Sequence, residues 1–235
     1  MLKSTSLLFF LFICIPVFSQ EEHRAYSFDA GLELNSKYVW RGTPFGDAPV
    51  VFPSIGFQYK NFSLSALGGY AINGSHSEVD LFLTYGLKDF SIGIGDYFFP
   101  SESDSKNHYL NFKPKETPHT IEAYVTYAPS CFPFWVTAST CVYGNDRDKC
   151  GNNYYSTYFE LGYYKQFPSS GKLSFILGLT PAKGFYSDKF NVVNTSVKYD
   201  TAFSFGKYKL PVSGAFVLNP YTEKVFLTFS IYLSK

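Results

Sequence analysis

Past its first twenty residues the chain has no apolar run long enough for a membrane-spanning helix, which needs about 20 consecutive apolar residues. If this protein crosses a bilayer, it does so with strands. An excess of charge is missing too. The 20 Lys and Arg against 19 Asp and Glu become 19 of each once Lys3 leaves with the leader described below. A neutral chain with no basic run has no footprint for nucleic acid. Cysteine is sparse, with four residues and neither CxxC spacing nor companion histidines, so no metal site and no cofactor are expected. Four His and no GxSxG elbow leave little material for nucleophilic hydrolysis.

What the chain does have is aromatic area. Its 26 Phe and 20 Tyr bring aromatics to 20% of residues, while mean hydropathy is only −0.06. A soluble domain rarely needs so many rings. A membrane barrel uses them in girdles at both boundaries of its apolar band.

Residues 1–20 have the pattern of a secretory signal peptide: one charge at Lys3, an apolar run over Leu7–Val17, and Ser19 at the cleavage site. Cys14 follows Phe12 and Ile13 rather than the small residues of a lipoprotein site, so ordinary cleavage after Ser19 or Gln20 is expected. Residues 21–235 then form one domain. Three cysteines remain in it, and Cys141 and Cys150 flank the polar loop Gly144–Lys149. A disulfide between these two is expected in an exported chain, leaving Cys131 free.

The domain is punctuated as about twelve short amphipathic strands. They read as Tyr26–Arg41, Val50–Tyr59, Phe62–Ile72, His76–Leu87, Phe90–Phe99, Thr120–Ala128, Phe132–Tyr143, Tyr154–Phe167, Lys172–Pro181, Phe190–Phe205, Tyr208–Leu218 and Glu223–Ser234. Every second connection is tight, as at Lys60-Asn61, Lys88-Asp89 and Gly206-Lys207. Most of the others are longer, the longest being Pro100–His119. The fold class predicted is all-β: a single transmembrane, antiparallel, up-and-down barrel of about twelve strands, with tight turns on the periplasmic side.

Alternation with period two assigns the faces. Phe28, Ala30, Leu32 and Leu34 oppose Asp29, Gly31, Glu33 and Asn35, and Val225, Leu227, Phe229 and Ile231 oppose Thr228, Ser230 and Tyr232. The lumen is therefore expected to be lined by Asp29, Glu33, Lys37, Arg41, Glu78, Asp80, Glu122, Glu160, Lys198, Asp200 and Lys209, with Tyr124, Tyr158, Tyr164 and Trp135 narrowing it. Strict alternation from Phe90, Ile92 and Ile94 sends Asp96 outward, where a charge would cost on the order of 1–2 kcal/mol. A bulge at Gly95 that turns Asp96 into the lumen is expected instead. Pro53 and Pro211 fall inside strands, where each removes a ladder hydrogen bond. Twelve strands tilted by about 40° give a backbone cylinder roughly 24 Å across and a lumen roughly 8–10 Å wide, less if the longest loop folds inward.

Ser36-Lys37-Tyr38-Val39-Trp40-Arg41-Gly42, followed in order by Pro53-Ser54-Ile55, Glu78-Val79-Asp80-Leu81 and Gly95-Asp96-Tyr97-Phe98-Phe99-Pro100, resembles the TorF-type porins of Gram-negative outer membranes. The likeness is best over residues 26–100. It implies an outer-membrane barrel and a porin, and transfers neither substrate nor catalytic residues.

The expected function is passive diffusion of small polar solutes through a mixed-charge lumen. The surroundings expected are outer-membrane lipid and lipopolysaccharide, and a homo-oligomer is left open. Two rivals stand beside it. One is a closed structural or adhesive barrel acting through loops such as Ser101–Lys115; the other is an outer-membrane hydrolase, for which His119 beside Glu122 is the only conspicuous pairing. The chain is read as not an enzyme.

Overall fold

The computed structural model describes residues 26–101, 103–168 and 170–234; the expected signal peptide, 1–20, lies outside them. Strand and turn account for all the regular structure described. Twelve strands close into one antiparallel barrel. In chain order these are β1 (Tyr26–Asn35), β4 (Val50–Tyr59), β5 (Phe62–Ala71), β6 (Ser77–Leu87), β7 (Phe90–Phe98), β8 (His119–Tyr127), β9 (Phe134–Gly144), β10 (Thr157–Phe167), β11 (Gly171–Thr180), β12 (Asn191–Phe205), β13 (Tyr208–Asn219) and β14 (Lys224–Ser234). Two further short strands, β2 (Tyr38–Trp40) and β3 (Thr43–Phe45), pair only with each other.

Every wall strand pairs with its neighbours in sequence, and β1 closes on β14 through Gly31–Asn35 against Ser230–Ser234. Such a meander follows from the connections. The tight turns put Lys60 and Lys88 at φ 52° and 54°, the left-handed region that two-residue hairpin turns require. One rim of the barrel carries these turns and the other carries the longer loops.

The faces follow the alternation. Phe28, Ile55, Ile72, Phe175 and Leu227 are exposed on the outside. Glu78, Asp80, Thr84, Glu122, Ser139, Glu160, Ser174, Asn194, Ser196, Ser213 and Ser230 are buried inside. Large inner rings are seated against cross-strand glycines. Trp135 lies opposite Gly162, where an added Cβ would stand 2.0 Å from the indole, so the glycine leaves the space that the ring fills.

Both prolines sit in continuous strands at points where one ladder is interrupted. Pro53 pairs with Leu32 of β1, while the β4–β5 register skips from Val51 to Ser54. Pro211 pairs with Ala202 of β12, and the ladder to β14 begins only at Val212.

Two expectations are corrected. The first strand does not run on to Arg41: β1 stops at Asn35, and Lys37–Phe45 turns back as the separate β2–β3 hairpin. Strand β7 has no bulge at Gly95. It keeps unbroken register with both β6 and β8 from Phe90 to Phe98, and the irregularity lies instead in β9, opposite Ile121/Glu122. Asp96 thus stays on the outer face, opposite Leu81 and Ile121. Its charge is met there by His119, whose Nδ1 lies 2.8 and 2.9 Å from the two Asp96 oxygens.

The segment 103–118, whose inward folding would have narrowed the passage further, does not enter the lumen. It folds over the outer face of β7 and β8, stacking Phe112 on His119 at 4.1 Å and setting the Tyr109 carbonyl 2.6 Å from His119 Nε2. The buried His119 ring therefore has a protein oxygen within hydrogen-bond distance of each nitrogen.

Candidate functional site: the hairpin-filled lumen

The hairpin occupies the place where a pore would pass. Its turn, Arg41-Gly42, has φ 51° and 78°, the left-handed pair of a type I′ turn, whose twist suits a two-residue hairpin. A left-handed arginine costs roughly 1–2 kcal/mol, so the turn persists because its surroundings hold it. Arg41 Nη1 and Nη2 donate to the two Glu122 oxygens of β8 at 2.6 and 2.9 Å. Nη1 also donates to the Tyr186 hydroxyl. The guanidinium lies 4.3 Å from the Trp40 ring centre and 4.6 Å from that of Tyr158. Glu122 accepts a further bond from the Tyr97 hydroxyl at 3.2 Å. Arg41 is 9% exposed and Glu122 1%, so this is a desolvated pair with its hydrogen bonds made.

Across the lumen, Gly42 abuts β12. A Cβ there would stand 1.9 Å from the Val193 carbonyl oxygen, and Asn219 Nδ2 donates to the Gly42 carbonyl at 3.1 Å. On the other flank Tyr38 packs on Phe52 at 4.9 Å and joins a buried cluster of Val50, Phe52, Leu67, Ala71 and Phe82. The barrel is thus filled on its β4–β7 side, and Arg41 ties the hairpin turn to β8.

The β9–β14 side is different. A cavity there, in which the centres of water molecules have about 190 Å³ to occupy, runs from the hairpin turn at Arg41-Gly42 down to Lys172 and Asp200 near the turn rim. Lys198 Nζ is 3.0 Å and Lys172 Nζ 3.7 Å from the Asp200 carboxylate. Glu160 accepts from Trp135 Nε1 at 2.8 Å and from the Tyr158 hydroxyl at 3.0 Å. Six charged residues line the cavity: Glu33, Glu160 and Asp200 against Arg41, Lys172 and Lys198. Their formal charges cancel.

Of the residues expected inside, Glu33, Arg41, Glu160, Lys198 and Asp200 line this cavity. Arg41 does so from the hairpin and not from the wall. Glu122 is buried behind Arg41. Glu78 and Asp80 are buried on the filled side, where Glu78 Oε1 and Asp80 Oδ1 have no hydrogen-bond donor among the described residues. Asp29 lies near the turn rim beside Gly56, and Lys209 is exposed there. Lys37 is drawn away from the lumen, donating to the Gly46 carbonyl at 2.5 Å and lying 3.7 Å from Asp47. Asp96 is outside the barrel altogether. Lys172, which alternation puts on the same inner face as Ser174, lines the cavity as well.

Two other pairings come apart. His119 and Glu122 fall on opposite faces of β8, so they share no site. Cys141 is buried on the inner face of β9, while Cys150 is exposed in the segment 145–156; both thiols, with Cys131, are free, and the expected bridge is absent. That segment is ordered without it. Asp148 accepts from the backbone of Asn152 and Cys150 at 2.9 and 2.8 Å, and these bonds, led by the Asn152 amide, hold its carboxyl below the usual range. Among the described residues, no three His, Cys, Asp or Glu are grouped to hold a metal.

No protein-family profile and no curated protein matches the chain. Solved structures do. A KdgM porin aligns over 88% of this chain and 97% of its own at 12% identity, with a TM-score of 0.50. A second KdgM porin structure, in complex with disordered oligogalacturonate, aligns over 88% and 96% at 13% identity, with a TM-score of 0.49. At this identity the likeness is one of fold.

Proposed function

We propose that the protein is an outer-membrane porin whose lumen is constricted by the inward β2–β3 hairpin, admitting small polar solutes passively through the cavity beside it. The observation that carries this reading is the inversion of the faces. Rings and aliphatic side chains such as Phe28 at 73% exposure, Ile55 at 65% and Leu227 at 80% cover the outside of a closed barrel whose buried inside is polar. Water would not tolerate apolar surface on that scale, whereas a bilayer requires it. The barrel fold shared with a KdgM porin and the TorF-type sequence likeness point the same way. With β1 entering from the turn rim, the tight turns face the periplasm and the hairpin narrows the lumen from the outside, among lipopolysaccharide. A mixed-charge lining that sums to zero suits uncharged or zwitterionic solutes over ions of one sign.

Single-channel recording of refolded protein in a planar bilayer tests this. Discrete steps of small conductance are expected. A silent barrel would favour the second reading, a closed structural or adhesive barrel. The bidentate Arg41–Glu122 pair buried in mid-lumen is the specific observation on that side.

A further inference from the structure

We infer that the cavity beneath the hairpin is a binding site for a neutral polyhydroxylated solute of mono- or disaccharide kind. The inference rests on the porin reading and names the solute class of the same lumen.

Two features of the lining carry it. The first is that its charged groups already have protein partners. Asp200 holds both Lys198 and Lys172, Arg41 is held by Glu122, and Glu160 accepts from Trp135 and Tyr158. Glu33 is the remaining charge, with Asn35 Nδ2 at 3.4 Å. An anionic solute bound to either lysine would have to compete with Asp200 for it, and a cationic one bound to Asp200 would face two ammonium groups. Either exchange leaves a half-buried charge short of its partner, which is costly. A solute without charge meets no such penalty. The second feature is the density of hydroxyl and amide groups between those pairs. Ser174, Ser196, Ser213, Ser230, Asn194 and Thr228 all line the cavity, and each can donate and accept. A polyol can take over the bonds these groups make with water. Ring surface from Trp40, Trp135 and Tyr232 is set into the same wall. It offers apolar patches to the C–H faces of a sugar ring, the combination of apolar wall and few oriented polar groups that ligand sites use.

The chain's 2 tryptophans, Trp40 and Trp135, both line the cavity, so fluorescence excited selectively at tryptophan reports this site. Refolded protein, in a detergent without a sugar headgroup, would be titrated with sucrose, sodium gluconate and glucosamine hydrochloride at constant ionic strength. A saturable change with sucrose, and half-saturation at least roughly fivefold higher for the two ions, is the expected result; fivefold corresponds to about 1 kcal/mol, the scale of a single charge interaction in water. Asp200→Asn leaves two lysines without their acid, and should improve gluconate binding roughly fivefold with sucrose nearly unchanged. Gluconate or glucosamine binding wild type as well as sucrose does would overturn the inference. So would a conducting channel whose fluorescence answers no solute, and in that case the pore would survive. Saturable sucrose binding by a protein silent in the bilayer would do the reverse, keeping the site and removing passage.

Discussion

Arg41 shows what one side chain does here that its sequence position does not announce. Alternation counted it among the inward charges, and inward it is. Its partner Glu122 is 81 positions away, however, and nothing in a single sequence pairs a charge in one loop with a charge on another strand. Glu122 was itself legible as an inner residue, because Ile121 and Ala123 flank it on the apolar face. The pairing was not. Breaking a buried pair from one side costs about 3–5 kcal/mol, while replacing both members with well-packed apolar side chains can be neutral or stabilising. Glu122→Gln should therefore free the hairpin without opening the wall, and single-channel steps should become larger and noisier. The double substitution Arg41→Met with Glu122→Leu should return the record to wild-type size. Equal steps in all three proteins would remove Arg41 from the closure. Gly42 makes a second, steric version of the same test. Since a Cβ at that position would collide with the Val193 carbonyl, Gly42→Ala should unseat the turn and raise conductance while the barrel still resists unfolding in detergent.

At the scale of the elements, the wall was readable and its exceptions were not. Strand ends fall within a residue or two of expectation along most of the wall because burial alternates along each strand and turn residues bound it. The first strand fails for a reason that periodicity cannot see: Lys37–Trp40 continues the alternation of β1, so an inner hairpin and a longer strand have the same pattern. Asp96 fails similarly. The outer face was correctly the costly place for a charge, but the remedy is tertiary, a histidine and an overlying segment, and not a local bulge. Two consequences can be measured. Asn35 pairs directly with Val50 across β1 and β4, so residues 36–49 can be replaced by an Asn-Gly turn without disturbing the ladder. This deletion should keep the barrel's strand signal in circular dichroism, less only the hairpin's own short strands, and enlarge the single-channel step several-fold. His119→Ala should release the overlying segment 103–118, making it cleavable by added trypsin at Lys106, Lys113 or Lys115 while the remaining barrel stays resistant; an intact loop in that variant would show that the ring is not what holds it.

For the molecule as a whole, the distribution of charge matters more than its sum. The cavity side sets three acids against three bases; the filled side buries Glu78 and Asp80, an oxygen of each lacking a donor among the described residues, with His76 3.1 Å from Glu78. An undonated buried oxygen costs roughly 1–3 kcal/mol, and the hairpin is what keeps both from water. While it is seated, permeating ions meet a wall that carries both signs of charge, and the reversal potential in a tenfold KCl gradient should lie near zero. Once residues 36–49 are removed, Tyr38 no longer covers the acidic pair, Arg41 no longer neutralises Glu122, and three carboxylates face the enlarged lumen. Ion selectivity in such a lumen follows the sign of the fixed charge on its wall. The deletion protein should therefore become cation-selective, its reversal potential moving toward the potassium limit, and Glu78→Gln with Asp80→Asn added to the deletion should move it most of the way back. An anion-selective or unselective deletion protein would mean that the carboxylates of the filled side do not face the passage, and that the hairpin is not what separates them from it.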